Sequence, residues 1–185
     1  MNAPINICDK MMIAISGTPG TGKTHLAAEL RSRGYDVLDL NEHIRNNGLL
    51  EEKDEARDTY CVDVDSLDLS LEGYRARDLI FIEGHISHYV ECGIVIVLRC
   101  DPDILAKRLT ERGYSQNKVA ENVQAEILDV ILCEASEADV PVCELDSSED
   151  SVTGLADKVE DILGGNTDKY QPGNIDWTEE LEKWF

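Results

Sequence analysis

The residues best suited to chemistry lie near the amino terminus, in a stretch that reads G-T-P-G-T-G-K-T over residues 17–24. It follows an apolar run of strand length at residues 11–15. It precedes residues 25–31, whose apolar side chains recur on one helical face. In such a strand–turn–helix context, glycines allow successive backbone N–H groups to point at phosphate oxygens, and the helix dipole adds positive potential. The stretch therefore predicts a P-loop that binds a nucleoside triphosphate, in preference to a chance glycine turn.

Two side chains of this stretch have the chemistry that a triphosphate requires. Lys23 would reach the β- and γ-phosphates, and the hydroxyl of Thr24 would hold Mg²⁺. The predicted ligands are therefore a nucleoside triphosphate and Mg²⁺.

A carboxylate and a histidine follow a second apolar run. Glu83 ends the run at residues 79–83, and ligands of parallel sheets gather at the carboxyl ends of strands, where the P-loop also lies. There a carboxylate can complete the shell of Mg²⁺ or polarise an attacking oxygen. His85 could act beside it, although a structural, hydrogen-bonded histidine is the alternative. His88 is expected at the surface. We predict that Glu83 and His85 belong to the site.

Positioned arginines are the second requirement of phosphoryl transfer, because guanidinium groups stabilise the charge on the equatorial oxygens. Arg112 lies in a helix break at residues 110–114, where a closing flap could bring it over the nucleotide, and Arg108 is one turn earlier. Arg45 follows the second predicted strand and could clamp a second phosphate ligand. Taken singly, each also fits a surface salt bridge, so their placement around one P-loop carries the prediction.

The elements that must position these groups alternate between strand and helix. Strands are predicted at residues 11–15, 35–38, 79–83, 94–98 and 140–145. Helices are predicted after the P-loop and at residues 39–45, 101–109, 115–137 and 151–163, with Asp101 as an N-cap. The continuous apolar runs are typical of strands buried on both faces, so the fold class is α/β with a doubly wound, parallel, five-stranded sheet.

The remaining segments give weaker signals. Residues 1–10 are expected to be a loose leader, and the charged residues 49–63 a mobile, exposed segment. The run from Val62 to Leu71 fits either a strand or a helix, and we favour a helix capped near Asp65. Residues 166–185 form a polar tail with a short helix over 176–184, whose aromatic residues could dock on the body or on a partner: Trp177, Trp184 and Phe185.

Composition limits the classes of function. The chain has 185 residues, enough for one domain, and 17 basic against 38 acidic residues give a net charge of −21. This charge argues against a broad grip on nucleic acid and suits a basic partner or, more simply, a solvated acidic surface. The six scattered cysteines and the absence of a secretory signal or an apolar run of about 18 residues predict a cytoplasmic protein without a membrane span and with reduced, mostly buried thiols.

Over roughly residues 11–163 the chain resembles the adenylate kinase isoenzyme 6 family. The most specific part of the resemblance is the R-G-Y break followed by N-x-Q-x-E-I, a motif that spacing alone would describe only as polar positions on an amphipathic helix. The motifs that carry the resemblance are the P-loop, Asp39-Leu40 with Arg45, Glu83-Gly84-His85, Val97-Leu98-Arg99-Cys100-Asp101, Arg112-Gly113-Tyr114 and Asn122-Val123-Gln124-Ala125-Glu126-Ile127.

The resemblance implies a P-loop NTPase of adenylate-kinase-like fold. It implies one domain at residues 1–165, with an NMP-binding insertion at about 39–63 and a short lid at about 111–121, followed by the tail at 166–185. The implied ATP contacts are Gly20, Gly22, Lys23, Thr24, His25 and Arg112, while Arg45 would grip the monophosphate. Lys23, Glu83, His85 and Arg112 would be the catalytic groups, with Thr24 and Glu83 at Mg²⁺.

The activity implied is a broad-specificity kinase that transfers the γ-phosphoryl group of Mg·ATP to AMP or another NMP, with ATPase activity besides. The family also assists maturation of the small ribosomal subunit and its 16S rRNA, bound to a basic platform ribosomal protein, so no direct sequence-specific contact with nucleic acid is expected. The alternative is mainly an ATPase assembly factor for such a protein. A kinase for another small metabolite is disfavoured by the match after Arg112.

Three features depart from the family pattern. Glu83-Gly84-His85 stands where the family has an acid–aromatic–histidine signature, so the acid is longer and the aromatic side chain is missing. His25 replaces a second hydroxyl residue after the P-loop lysine, and the loop at residues 146–150 carries no basic residue. These departures concern the balance between transfer and hydrolysis, not the fold.

Overall fold

Five parallel strands form the central sheet of the computed structural model, which describes residues 11–54 and 59–185. The strands of the described chain are β1 (Met11–Ser16), β2 (Val37–Asp39), β3 (Leu50–Asp54), β4 (Thr59–Val62), β5 (Leu79–Glu83), β6 (Ile94–Arg99) and β7 (Val142–Asp146). Their order in the main sheet is β2-β5-β1-β6-β7, and every neighbouring pair is parallel. The five-stranded parallel sheet predicted from the apolar runs is confirmed.

Helices cover both faces of this sheet. They are α1 (Lys23–Ser32), α2 (Leu40–Asn46), α3 (Val64–Ser70), α4 (Glu72–Arg75), α5 (Pro102–Glu111), α6 (Gln116–Ile127), α7 (Val130–Ala135), α8 (Val152–Leu163) and α9 (Leu181–Trp184). Successive strand residues point to opposite faces. Ile13 and Phe81 accordingly pack with α1 and α8, whereas Met12 and Ile82 pack with α2 and α3. All six residues of β6 are buried, as expected for a strand covered on both faces.

The helix predicted over residues 115–137 is two helices. Asp129 adopts a left-handed backbone conformation, with φ of 55°, and separates α6 from α7. Its carboxylate pairs with the buried guanidinium of Arg99 on β6. This tertiary ion pair accounts for a break that the apolar periodicity does not reveal. The helix that begins near residue 64 is present as favoured, but its N-cap is Asp63 and not Asp65, because the Asp63 carboxylate accepts a hydrogen bond from the amide of Ser66.

The charged segment at residues 49–63, which is predicted to be mobile and exposed, contains two strands where it is described. β3 and β4 form an antiparallel pair, with Leu50 opposite Val62 and Asp54 opposite Thr59. Main-chain hydrogen bonds hold such a pair without the alternating apolar side chains by which strands are detected. The middle of the segment, residues 55–58, lies outside the described residues, as do residues 1–10, which were expected to be a leader.

The tail packs onto its own domain. Trp177, Leu181 and Trp184 contact an apolar cluster formed by α5, α6 and the end of β6, and the side-chain amide of Gln124 donates to the carbonyl of Trp184 at 2.6 Å. Phe185 is exposed. Trp177 and Trp184 therefore pack on the body of the domain, which is one of the two docking surfaces predicted for the aromatic residues of the tail. The helical part is shorter than predicted, a 3₁₀ turn at Thr178–Glu180 followed by α9.

The described cysteines divide into three groups, of which Cys92, half-buried, is one. Cys100 and Cys143 are buried as predicted, and desolvation raises the pKa of each thiol to about 11. Cys61 and Cys133 are exposed, so the expectation of mostly buried thiols is wrong for them. Cys8 precedes the described residues. Within residues 11–54 and 59–185, none of the helices has the length and apolar character needed to span a bilayer.

His43 joins α2 to α3 and gives the first testable prediction. Its Nε2 lies 2.8 Å from the hydroxyl of Ser70, which itself donates to the carbonyl of Leu67. The Asn47 amide lies 3.3 Å from Nδ1, so the neutral Nε2–H tautomer satisfies all of these groups. Burial lowers the pKa of His43 below its usual range. As pH falls below about 6.5, the unfolded chain takes up a proton that the folded chain resists, and stability is lost.

We expect the free energy of unfolding to fall between pH 7 and pH 5, and to fall less in His43→Gln, which removes this titration. Urea unfolding at both pH values measures the difference. His25→Gln is the matched control, because it makes the same change at an exposed position on α1. Equal slopes in the wild type and in His43→Gln would contradict the assignment.

Candidate active site

The P-loop of the structure depends on glycine at two positions. Gly17 has a φ of 136°, and a Cβ atom there would lie 2.4 Å from the carbonyl oxygen of Leu98. Gly20 has a φ of 100°, and its Cβ would lie 2.7 Å from Cδ1 of Leu105 on α5. The loop therefore runs directly against β6 and α5, with no space for side chains at either glycine. Its backbone curls over the amino-terminal end of α1.

Lys23 lies in the first turn of α1 and folds back over the loop. It is buried, and its Nζ donates to the carbonyls of Gly17 at 2.6 Å and Thr18 at 3.1 Å. Burial lowers the pKa of this amine to about 8, against the opposing attraction of Glu83 and Glu126. Lys23 is thus a cation held at the loop by neutral carbonyls, which an anionic phosphate would replace favourably.

Glu83 lies at the carboxyl end of β5, between Ile15 on β1 and Asp39 on β2. Its side chain is buried, and desolvation together with the nearby Asp39 charge raises its pKa. Lys23 and a hydrogen bond from Thr24 oppose this shift. The paired strands thereby bring a carboxylate, a hydroxyl and an amine together, although they lie far apart in sequence. A Cβ at Gly84, the next residue, would meet the Cβ of Leu40 at 3.0 Å, so a larger side chain there would require Leu40 to shift.

The two histidines after β5 differ in environment. His85 is exposed at the cleft, and the surrounding protein atoms, followed by the Lys23 charge, lower its pKa. His88, expected at the surface, is buried instead. Its Nδ1 lies 2.8 Å from the Ser16 hydroxyl and its Nε2 lies 3.2 Å from Glu134. His88 is therefore a structural residue behind the P-loop, whereas His85 remains a neutral group at the cleft.

A cleft of about 540 Å³ brings the predicted catalytic residues together. It is lined by the predicted catalytic and metal-binding residues Lys23, Thr24, Glu83, His85 and Arg112. Other lining residues are Gly20, Gly22, Asn41, Tyr114, Lys118, Glu121 and Asn122. A second cleft of about 400 Å³ lies on the other side of the same loop and is lined by Thr21, His25, Arg108, Ser147, Asp150, Val152 and Leu155. Gly20, Gly22 and Arg112 line both clefts, so the two spaces meet over the P-loop.

Two of the predicted arginines lie apart from the larger cleft. Arg108 lines the second cleft, where it donates to the carbonyl of Ser147 at 2.9 Å. Ser147 in turn donates to the carbonyl of Thr21 at 2.6 Å, so Arg108 supports the loop that faces the P-loop. Arg45 is exposed on α2 and does not line the larger cleft in this conformation. Its assignment to a monophosphate remains a prediction.

Sequence reasoning missed a buried charge network behind the P-loop. Glu126 on α6 accepts a hydrogen bond from Thr18 at 2.5 Å and another from Arg99 at 2.7 Å. Arg99 also faces Glu144 on β7. One signal was available in the sequence: Arg99 is a charged residue at the end of an otherwise apolar strand, where it requires a buried counter-charge.

The donor set fits Mg²⁺ only when a nucleotide supplies most of the ligands. The Thr24 hydroxyl and the Glu83 carboxylate lie together at the cleft. Across residues 11–54 and 59–185, the structure contains no cluster of three or more histidine, cysteine, aspartate or glutamate side chains that could hold a metal ion. Mg²⁺ commonly binds through one or two protein oxygens, with phosphates and water as its other ligands. The residues present fit that mode.

The parallel sheet, the P-loop at its carboxyl edge and the flanking cleft define a P-loop NTPase of the small-kinase type. The family described as an AAA domain matches residues 13–129. A relative named "Putative adenylate kinase" from Methanocaldococcus jannaschii is 40% identical over 177 residues, covering 95% of this chain and 96% of the relative. A relative of the same name from Natronomonas pharaonis is 42% identical over 173 residues, covering 92% and 100%. The chain belongs to this adenylate-kinase-like family of P-loop proteins.

Solved structures support the fold. A shikimate kinase from Bacteroides thetaiotaomicron superposes with a TM-score of 0.58 at 17% identity, covering 83% of this chain and 98% of that one. At this identity the likeness concerns the architecture alone.

Proposed function

We propose that the protein is a nucleoside monophosphate kinase that transfers the γ-phosphoryl group of ATP to AMP or another monophosphate. The observation that carries the proposal is the convergence of Lys23, Glu83, His85 and Arg112 on one cleft beside the P-loop. These are a cation for the phosphates, a carboxylate, a neutral imidazole and a second cation. Relatives named "Putative adenylate kinase", which match this chain over nearly their whole length, support this choice of reaction.

The two connected clefts suggest how the donor would bind. The nucleoside part of ATP would occupy the second cleft beside His25 and Val152, and the triphosphate would follow the loop amides at Gly20 and Gly22. Lys23 would exchange its bonds to the loop carbonyls for bonds to the β- and γ-phosphates. Arg112, which lines both clefts, would approach the transferred group from the opposite side. Positioning and charge stabilisation therefore supply most of the catalysis.

The acceptor would enter the larger cleft from the side of α2. Glu83 would orient the attacking oxygen or, together with Thr24, hold Mg²⁺. When bound, Mg²⁺ neutralises charge on the β- and γ-phosphates. We propose residues 39–63 as an NMP-binding insertion whose closure would carry Arg45 to the monophosphate, residues 111–121 as a short lid that carries Arg112, and residues 166–185 as a tail to the single domain 1–165. Such closures exclude water from the reacting groups.

We expect ADP formation from Mg·ATP to depend on added AMP, because the reaction needs an acceptor phosphate in the larger cleft. A coupled assay for ADP, with AMP titrated from zero, measures this dependence. A matched titration with CMP and UMP tests whether other bases are accepted. If ATP were consumed at the same rate with and without AMP, transfer to a monophosphate would be refuted and hydrolysis would be the activity.

The second candidate is an ATPase that assists maturation of the small ribosomal subunit by handling a basic ribosomal protein, in the manner of the isoenzyme 6 branch. Two observations favour it. The net charge of −21 suits a basic partner. Arg45, the predicted ligand of a monophosphate, is exposed and does not line the larger cleft, and ATP hydrolysis needs no monophosphate ligand. The specific motif from Arg112 to Ile127 supports this branch. Cytoplasmic ribosome assembly would be its setting. A pull-down of basic small-subunit proteins with and without ATP tests it. If ATP did not change which proteins are captured, the result would count against this function.

A further inference from the structure

A buried carboxylate contacts the P-loop without lining either cleft. Glu126 on α6 is 3% exposed. Its Oε2 accepts a hydrogen bond from the Thr18 hydroxyl at 2.5 Å, and its Oε1 accepts from Nε of Arg99 at 2.7 Å and from the amide of Cys100 at 3.1 Å. Glu126 does not line either cleft beside the P-loop, so it is not placed to touch a nucleotide. A charge buried at this depth is expected to have a strong structural reason.

Thr18 is the residue through which Glu126 reaches the functional loop. Its side chain is buried, and its backbone carbonyl accepts hydrogen bonds from the Thr21 amide at 3.2 Å, the Thr21 hydroxyl at 2.9 Å and Nζ of Lys23 at 3.1 Å. This single carbonyl therefore ties together the turn of the loop and its lysine. A shift of Thr18 would move the backbone amides that face the phosphates as well as the resting position of Lys23.

Glu126 is itself bonded to a buried network that includes Arg99 and Glu144. Arg99 is 1% exposed and also faces Asp129 and Glu144. The carboxylate of Glu144 accepts a hydrogen bond from the backbone amide of Ile175 in the tail at 3.0 Å. The carboxylate is thus linked through Arg99 to β6, β7 and the tail, and Thr18 is bonded to this buried network.

We propose that Glu126 is a positioning residue for nucleotide binding, which holds the P-loop through Thr18 in the conformation that receives a triphosphate. The inference rests on the proposed function only in taking ATP as the ligand. Since Glu126 acts on the loop before the ligand arrives, its loss should weaken binding in the ground state and in the transition state alike. KM for ATP should therefore rise while kcat stays nearly constant.

The experiment uses the full chain and four variants: Glu126→Gln, Thr18→Val, Thr18→Ser and the double variant Glu126→Gln/Thr18→Val. Glutamine keeps an acceptor for Arg99 and presents a donor, its amide nitrogen, to Thr18, so the charge-assisted bond from the hydroxyl is replaced by a weaker, neutral bond of reversed direction. Valine removes the hydroxyl at nearly constant volume, whereas serine restores it. We expect Kd for Mg·ATP, measured by calorimetry, to rise about tenfold in Glu126→Gln and in Thr18→Val, as the loss of one buried hydrogen bond implies.

The Kd of Thr18→Ser for Mg·ATP should lie within about twofold of the wild-type value. The Kd of the double variant should be no higher than that of the single variant that binds ATP less tightly, because both changes break the same bond. KM for AMP should be unchanged. Glu137→Gln removes an exposed charge from the segment after α7 and is the control. Thermal unfolding of each variant shows whether it is folded. If Glu126→Gln does not fold, the comparison of Thr18→Val with Thr18→Ser decides the proposal.

Unchanged ATP affinity in Thr18→Val, or losses that multiply in the double variant, would overturn the role of Glu126 acting through Thr18. A wild-type protein that binds no ATP would instead refute the proposed function. If the wild type phosphorylates AMP while Glu126→Gln binds ATP normally, only the present inference fails.

Discussion

Replacing Lys23 with alanine is expected to lower the rate of phosphoryl transfer by roughly two to three orders of magnitude, the range found when one preorganised charge-stabilising group is removed. The reason lies in the geometry of the loop. The Lys23 amine is buried at the P-loop, and its Nζ donates to two carbonyls, at 2.6 and 3.1 Å, that a phosphate can displace. Steady-state rates at saturating AMP, with ATP varied, measure both kcat and KM.

Lys107→Ala is the matched control, since Lys107 is exposed on α5, next to the arginine that supports the second cleft. It removes the same charge and should leave kcat/KM within about twofold, as surface charges contribute little. A Lys23→Ala protein that binds and turns over ATP at the wild-type rate would remove the basis for a triphosphate site at this loop. Arg112→Ala should then be the next test, because that side chain lines both clefts.

The sequence was sufficient wherever local pattern and structure coincide. The continuous apolar runs at residues 79–83 and 94–98 became β5 and β6, because strands covered on both faces have no polar side. The P-loop could also be predicted from the sequence, since its glycines and its lysine belong to one short, continuous stretch of the chain. Glu83 could be chosen because a residue at the end of a parallel strand must lie near that loop.

What could not be predicted depends on contacts between distant segments. Thr18 and Glu126 are 108 residues apart, and along α6 the glutamate is one polar position among several. The apolar face continues from Ile127 to Ile131, so periodicity predicts one helix where Asp129 turns the chain towards Arg99. The position of Arg45 is a further case, since the sequence indicates its helix but not that Asn41 of this helix lines the cleft while Arg45 does not.

The second large effect is on stability. Arg99→Met is expected to lower the free energy of unfolding by about 3–5 kcal/mol, the cost of removing one partner from a buried ion pair. The guanidinium is 1% exposed and faces three carboxylates, of which Glu126 and Glu144 are almost fully buried. Methionine would fill the space, but two buried negative charges would be left without their cation. Urea unfolding at constant pH measures the loss.

Arg77→Met provides the contrast, because Arg77 pairs with Asp36 at 2.6 Å while both side chains stay about half exposed. Solvent screens that pair, so its removal should cost less than about 1 kcal/mol. A triple variant that adds Glu126→Gln and Glu144→Gln to Arg99→Met should recover part of the stability, since the uncompensated charges are then gone. Equal losses in Arg99→Met and Arg77→Met would contradict a buried network. Because Arg99 also fixes the carboxylate that holds Thr18, Arg99→Met protein that remains folded should bind ATP more weakly than Arg77→Met. The same guanidinium would then serve both the core and the phosphate-binding loop.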